Sequence, residues 1–121
     1  MPMDETGKLI ESIVSGMREK KATGITVVDM TAIDEAVCSC FVICQADTPN
    51  QLLAITDSVR ETARRDAGQK PVFVDGENFA HWIAMDYGQV MVHLFVPELR
   101  RFYDLEHLWA DAQISNLPDE D

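Results

Sequence analysis

The sequence predicts an α/β domain in which a mixed sheet of about five strands carries helices packed on it. Three observations lead to this fold class. Amphipathic stretches of helical period alternate with short β-branched runs, the elements follow the order α-β-β-α-β-β-β-α, and a tight-turn signal joins two later strands. The 121 residues fit a single domain, which we expect over residues 1–115, and the acidic end at 116–121 predicts a disordered tail.

The first half of the chain predicts two helices and two strands. A helix is expected over residues 4–21, because apolar residues recur along one stripe. Residues 25–30 are β-branched and predict a strand, and residues 31–35 form a polar turn region. Residues 38–44 are apolar on both alternating faces, which is typical of a strand inside the sheet. Residues 48–68 predict a helix with a Thr-Pro-Asn-Gln start and a glycine stop.

The second half predicts three more strands and a C-terminal helical stretch. Residues 72–75 form a short strand, and residues 82–87 and 90–96 flank a Tyr-Gly-Gln turn that predicts a hairpin. Pro97 then opens a helical stretch, which Asp104 can re-cap and split into two short helices.

Composition and charge narrow the class of partner. Hydrophobic residues make up 46% of the chain, and no apolar run reaches the roughly 18 residues that a membrane helix needs. The acidic start does not resemble a signal peptide, so we expect a cytoplasmic protein with no membrane partner. A formal net charge of −11 repels phosphate and anionic lipid, which disfavours nucleic acid as the main contact and favours a basic protein.

A search for catalytic or metal-binding residues indicates neither an enzyme nor a cofactor. The glycines are scattered, the clustered cysteines at 38, 40 and 44 predict small buried side chains, and His93 in an apolar strand predicts a hydrogen-bonded packing histidine. Two D-x-E pairs, at 75–77 and 104–106, could hold Mg²⁺ only if they lay on strands. The first resembles a turn and the second lies in a helical region, so we favour a structural role for both.

Residues 81–109 concentrate large amphipathic side chains, including both tryptophans of the chain. Tryptophan, tyrosine and arginine are the residues that dominate binding energy at protein interfaces. The alternative is that these rings complete the core beneath the last helix. For Phe102 and Trp109 the two interpretations carry equal weight, whereas Trp82 begins an edge hairpin and is expected to be exposed on one side.

The same segment closely resembles the ribosomal silencing factor family, also called Iojap. The pattern W-I-x-x-D-Y-G…V-H-x-F…R-x-x-Y-x-L-E-x-L-W runs through residues 81–95 and 100–109, and the likeness covers roughly residues 8–112. The sequence departs from the family's common pattern at Ser39 and Gln89, where aspartate is frequent.

The resemblance implies a nucleotidyltransferase-like fold without the catalytic site. It implies a translation repressor that binds the large ribosomal subunit through ribosomal protein number fourteen and blocks joining of the small subunit. Trp82 would be the apolar anchor, Asp86 and Glu106 would pair with basic groups, and Tyr103 would add a flat face and a hydroxyl. The full set of expected partner contacts is Trp82, Asp86, Arg100, Tyr103, Glu106 and Trp109.

Two other interpretations stay open from the sequence. A metal-dependent nucleotidyltransferase or nucleotide-binding enzyme would rest on the D-x-E pairs and the fold. A homodimer would form if the exposed hairpin edge paired with its own copy.

Overall fold

The computed structural model describes residues 5–33, 36 and 38–119, and within them the chain forms three α-helices and a six-stranded mixed sheet. The helices are α1 (Glu5–Glu19), α2 (Pro49–Ala67) and α3 (Pro97–Tyr103), and a single 3₁₀ turn follows at Leu105–His107. The strands are β1 (Thr23–Asp29), β2 (Cys40–Gln45), β3 (Phe73–Asp75), β4 (Trp82–Asp86), β5 (Val90–Phe95) and β6 (Gln113–Asn116). The predicted α/β class is confirmed.

The sheet has the order β3-β4-β5-β2-β1-β6, with β2 parallel to β5 and the other neighbours antiparallel. Helix α2 makes the crossover between β2 and the later strands, which permits the parallel pair. The last part of the predicted 31–35 turn, at residues 34 and 35, lies outside the described residues, as do residues 4, 120 and 121.

The sixth strand adds to the predicted sheet of about five strands and overlaps the first residue of the predicted tail. The sequence predicted about five strands and a disordered tail from residue 116, whereas β6 extends to Asn116 and pairs with β1. Beyond β6, the Leu117 amide donates to the Ile25 carbonyl at 2.8 Å, and Asp119 Oδ1 accepts from the Gly24 amide at 2.9 Å. All four β6 residues are exposed, so the sequence shows no alternation of apolar and polar residues that would predict a strand here. Backbone hydrogen bonds to β1 hold β6 in the sheet.

The residues that the sequence predicts as helix ends occupy those positions in the structure. Thr48 caps α2, its Oγ1 accepting from the Gln51 amide at 3.1 Å, and Gly68 ends the helix with a left-handed φ of 65°. Asp104 adopts a φ of 48° and separates α3 from the 3₁₀ turn, so the predicted split is confirmed.

Helices α1 and α2 cover one face of the sheet and pack closely on each other. Ser58 Oγ donates to the Gly16 carbonyl at 2.8 Å, and Thr62 Oγ1 donates to the Ser12 carbonyl at 2.7 Å. A Cβ on Gly16 would overlap Thr62 Oγ1 and lie 2.8 Å from Val59 Cα. The glycine is therefore required by the helix crossing.

The opposite face of the sheet is covered only in part. The segment from α3 to residue 112 packs there over a second core that includes Phe41, Ile43 and Phe95. At the β3 edge, Phe73 of the same face is 53% exposed. Within residues 5–33, 36 and 38–119, none of the helices combines the length and the apolar content that a membrane span requires.

Candidate functional site

The candidate site is centred on Trp82, the first residue of β4, on the sheet face opposite α1 and α2. Its ring stacks on Phe95, with centroids 5.2 Å apart and planes 23° apart, and contacts the Tyr103 ring at 4.6 Å. Its Nε1 donates to Nδ1 of His93 at 3.1 Å. The half-buried indole is thus fixed on three sides by strand β5 and helix α3.

His93 is the buried support beneath this indole. The residue is 4% exposed, its ring meets Phe41 edge-on at 4.8 Å, and burial lowers its pKa to about 4. The imidazole is therefore neutral at pH 7, and because Nδ1 accepts from Trp82, the proton resides on Nε2. Nε2 is buried with no hydrogen-bond partner among the described residues. The prediction of a hydrogen-bonded packing histidine is confirmed.

Beside Trp82, the last turn of α3 presents bare rings to solvent. Phe102 is 77% exposed and Tyr103 46%, and the two rings meet edge-on at 5.0 Å. We call Trp82, Phe102 and Tyr103 the aromatic ledge. Of the two interpretations that the sequence left open for Phe102, the structure supports the exposed one and not a place in the core. We therefore add this ring to the candidate site, although the predicted set of partner contacts did not include it.

Arg100 and Glu106 do not belong to this exposed surface. Arg100 is 9% exposed, and its guanidinium donates to the Gly24 carbonyl at 2.6 Å, Thr26 Oγ1 at 2.9 Å and Gln45 Oε1 at 3.2 Å. Its Nη2 also forms an ion pair with Glu106 Oε2 at 3.2 Å.

This network gives Arg100 a structural role within the chain, in addition to the partner contact that the family resemblance implies. Arg100 ties α3 and the 3₁₀ turn to the ends of β1 and β2, and the carboxylate of Glu106 is bound to it. The sequence could not reveal this, because the β1 acceptors lie 74 and 76 residues away along the chain.

The remaining predicted contacts are separated from the ledge. Asp86 lies at the far end of β4, about 13 Å from Trp82 at the rise of an extended strand, and its Oδ1 accepts from the Gly88 amide at 2.7 Å. Trp109 is half-buried against the second core, and its Nε1 is buried with no partner among the described residues. The structure thus brings Trp82 and Tyr103 together and leaves Asp86 and Trp109 apart from them.

The two departures from the family pattern contact each other. Ser39 Oγ donates to Gln89 Oε1 at 2.7 Å, and the Ser39 amide donates to the Gln89 carbonyl at 2.9 Å. This pair joins the hairpin turn to the start of β2.

The D-x-E pairs do not converge on a metal-binding geometry. Glu77 faces Arg60 at 3.5 Å, Asp104 pairs with His107 at 2.7 Å, and Glu106 is bound to Arg100. Among the described residues, no group of three or more His, Cys, Asp or Glu side chains could hold a metal ion.

The three cysteines in this part of the chain are free thiols. Burial raises the pKa of Cys40 and of Cys44 to about 12, so both are unreactive at pH 7.

Comparisons with known proteins point in one direction. The family model described as "Ribosomal silencing factor during starvation" matches residues 3–121. The chain is 30% identical over 110 residues to the ribosomal silencing factor RsfS of Halalkalibacterium halodurans, covering 91% of this chain and 92% of the relative. It is 33% identical over 99 residues to the RsfS of Bacillus subtilis, covering 82% of each.

More distant similarity extends to an organelle protein and to solved structures. Mouse "Mitochondrial assembly of ribosomal large subunit protein 1" is 26% identical, over 98% of this chain and 55% of that protein. A crystal structure from Bacillus halodurans matches with a TM-score of 0.73 and 28% identity, over 90% of this chain and 97% of the other. One from Chromobacterium violaceum matches with a TM-score of 0.77 and 24% identity, over 89% and 88%, and supports the fold alone.

Proposed function

Because this chain belongs to the ribosomal silencing factor family, we propose that it represses translation by binding the large ribosomal subunit and preventing the small subunit from joining. The mechanism is steric: the bound protein occupies the surface of the large subunit on which the small subunit must dock, so no chemical step is needed. The name of the mouse relative, which refers to the large subunit, agrees with this choice of particle.

The observation that carries the proposal is the aromatic ledge. Soluble domains seldom expose neighbouring aromatic rings without a use for them, and clustered Trp and Tyr side chains are typical anchors of protein interfaces. Here the Trp82 indole is fixed by His93, Phe95 and Tyr103 before any partner arrives. Such preorganisation reduces the entropy lost on binding.

We propose ribosomal protein number fourteen as the direct partner on the large subunit. The family resemblance implies it, and the net charge of −11 favours a basic protein and disfavours the phosphates of ribosomal RNA. Trp82 and Tyr103 make the central contacts, Phe102 adds apolar area, and Arg100 acts indirectly by holding α3 in place.

Co-sedimentation in sucrose gradients tests the proposal. Trp82→Ala and Tyr103→Ala should each shift the protein from the large-subunit fraction to the top of the gradient, while the far-ultraviolet circular dichroism stays that of the folded parent. Ile114→Ala is the matched control, because Ile114 is a part-exposed apolar residue on the same sheet face but on the opposite edge strand, β6. If both ledge variants travel with large subunits as well as the control does, the ledge is not the docking surface.

A further inference from the structure

We propose that the docking surface continues from the aromatic ledge onto the uncovered sheet face of β3 and β4, where it receives a lysine or arginine side chain from a basic protein segment. We call the four residues concerned the β3–β4 face: Phe73, Asp75, Ala84 and Asp86. The inference rests on the proposed function, since the segment would belong to the same partner.

Strand register brings these four side chains together. Phe73 pairs directly with Asp86, and Asp75 pairs directly with Ala84. Directly opposed side chains on one face have Cβ atoms about 5 Å apart. Ala84 is also two residues from Trp82 on the same strand, so it shares that residue's side of the sheet and joins the β3–β4 face to the aromatic ledge.

The same two strands differ sharply between their faces. Toward α1 and α2, Ile83 and Met85 are completely buried and Val74 packs against them in the main core. On the other face Phe73 is 53% exposed, Asp75 is exposed, and even the small side chain of Ala84 is only half-buried. A phenylalanine left in solvent on a bare sheet face indicates a surface that another molecule covers.

Interface size gives an independent reason to extend the surface. A standard protein interface uses roughly 20–30 residues on each side, and the aromatic ledge offers far fewer. Because the β3–β4 face is contiguous with Trp82 through β4 and is uncovered, it is the natural continuation.

The chemistry of this face fits a cation. Two carboxylates, Asp75 and Asp86, flank the small side chain of Ala84, with the aromatic rings of Phe73 and Trp82 on either side. Among the described residues the Asp75 carboxylate has no ion-pair or hydrogen-bond partner, and the Asp86 carboxylate accepts from the Gly88 amide alone. The alanine leaves room for an aliphatic stem, and carboxylates together with ring faces stabilise an ammonium or guanidinium head.

Asp75→Lys tests the proposal, with Glu11→Lys as the matched control. Both residues are exposed and both substitutions change the net charge equally, but Glu11 lies on α1, on the other side of the sheet. In titrations against purified large subunits, Asp75→Lys should raise the dissociation constant about tenfold or more through like-charge repulsion, and Asp75→Asn should raise it less. Phe73→Ser should weaken binding without altering net charge.

The outcomes separate this inference from the proposed function. If Asp75→Lys and Phe73→Ser bind like Glu11→Lys while Trp82→Ala binds weakly, the β3–β4 face is not part of the surface but the proposed function stands. If Trp82→Ala also binds like the parent, both proposals fail. Binding of the parent to deproteinised large-subunit RNA as tightly as to intact subunits would overturn the choice of a basic protein segment.

Discussion

Replacing Arg100 by methionine should show how strongly the position of α3 and the stability of the domain depend on this buried side chain. The guanidinium holds two backbone or side-chain acceptors of β1, one of β2 and the carboxylate of Glu106. Methionine keeps most of the aliphatic volume but none of these hydrogen bonds. The three acceptors and the Glu106 carboxylate would then be left without their charged donor.

The magnitude follows from the burial of the pair. Removing one partner of a fully buried ion pair costs about 3–5 kcal/mol, because the remaining charge stays desolvated. The side chains of Arg100 and Glu106 are 10% and 17% exposed, so water reaches the pair in part and we expect about 3 kcal/mol. That is a large share of the roughly 5–15 kcal/mol by which domains are stable, and it should leave the protein folded at room temperature.

Urea denaturation measures this change directly. Arg101→Met is the matched control, because Arg101 is the exposed neighbour on the same helix and should alter the free energy of unfolding by less than about 0.5 kcal/mol. We also expect Arg100→Met to weaken large-subunit binding, since α3 would no longer hold Tyr103 against Trp82. A loss of stability below about 1 kcal/mol would refute the idea that this network fastens α3 to the sheet.

Two further predictions concern His93, which lies beneath Trp82, and the packing of α1 against α2. Burial lowers the pKa of His93 from 6.5 to about 4, so the folded state favours the neutral ring. The protein should therefore lose stability as the pH falls from about 6.5 towards 4, because the unfolded chain binds the proton more tightly. Between pH 6.5 and 5 the parent should lose about 1.5 kcal/mol more than His93→Gln in urea titrations, and equal losses would contradict the buried neutral histidine. Gly16→Ala should cost about 2 kcal/mol because the added methyl meets Thr62 and the Val59 backbone, whereas Ser15→Ala on the exposed side should be neutral or slightly stabilising. A stable Gly16→Ala variant would show that α1 and α2 can separate at little cost.

The sequence predicted those parts of the fold that rest on local backbone chemistry. Thr48, Gly68 and Asp104 occupy the helix ends expected for a capping threonine, a left-handed glycine and a re-capping aspartate. Strand β6 escaped prediction because it is stabilised by pairing with β1 and buries none of its side chains, so no periodicity marks it.

The sequence indicated two residues of the aromatic ledge but not the environment of the other predicted contacts. Trp82 and Tyr103 were identified through the family resemblance, and the structure places their rings 4.6 Å apart. The sequence could not predict the internal hydrogen bonds of Arg100, because their acceptors Gly24 and Thr26 lie on a strand far away along the chain. The exposure of Phe102 also could not be predicted, because it depends on how the last turn of α3 is placed on the sheet.

Subunit joining, followed by light scattering of purified large and small subunits, tests the central claim most directly. The parent protein, added before mixing, should reduce the fraction of joined particles in proportion to its occupancy of large subunits. The double variant Trp82→Ala/Tyr103→Ala, at the same concentration, should leave joining close to that of untreated subunits. A folded double variant that inhibits joining as strongly as the parent would contradict the assignment of repression to the aromatic ledge.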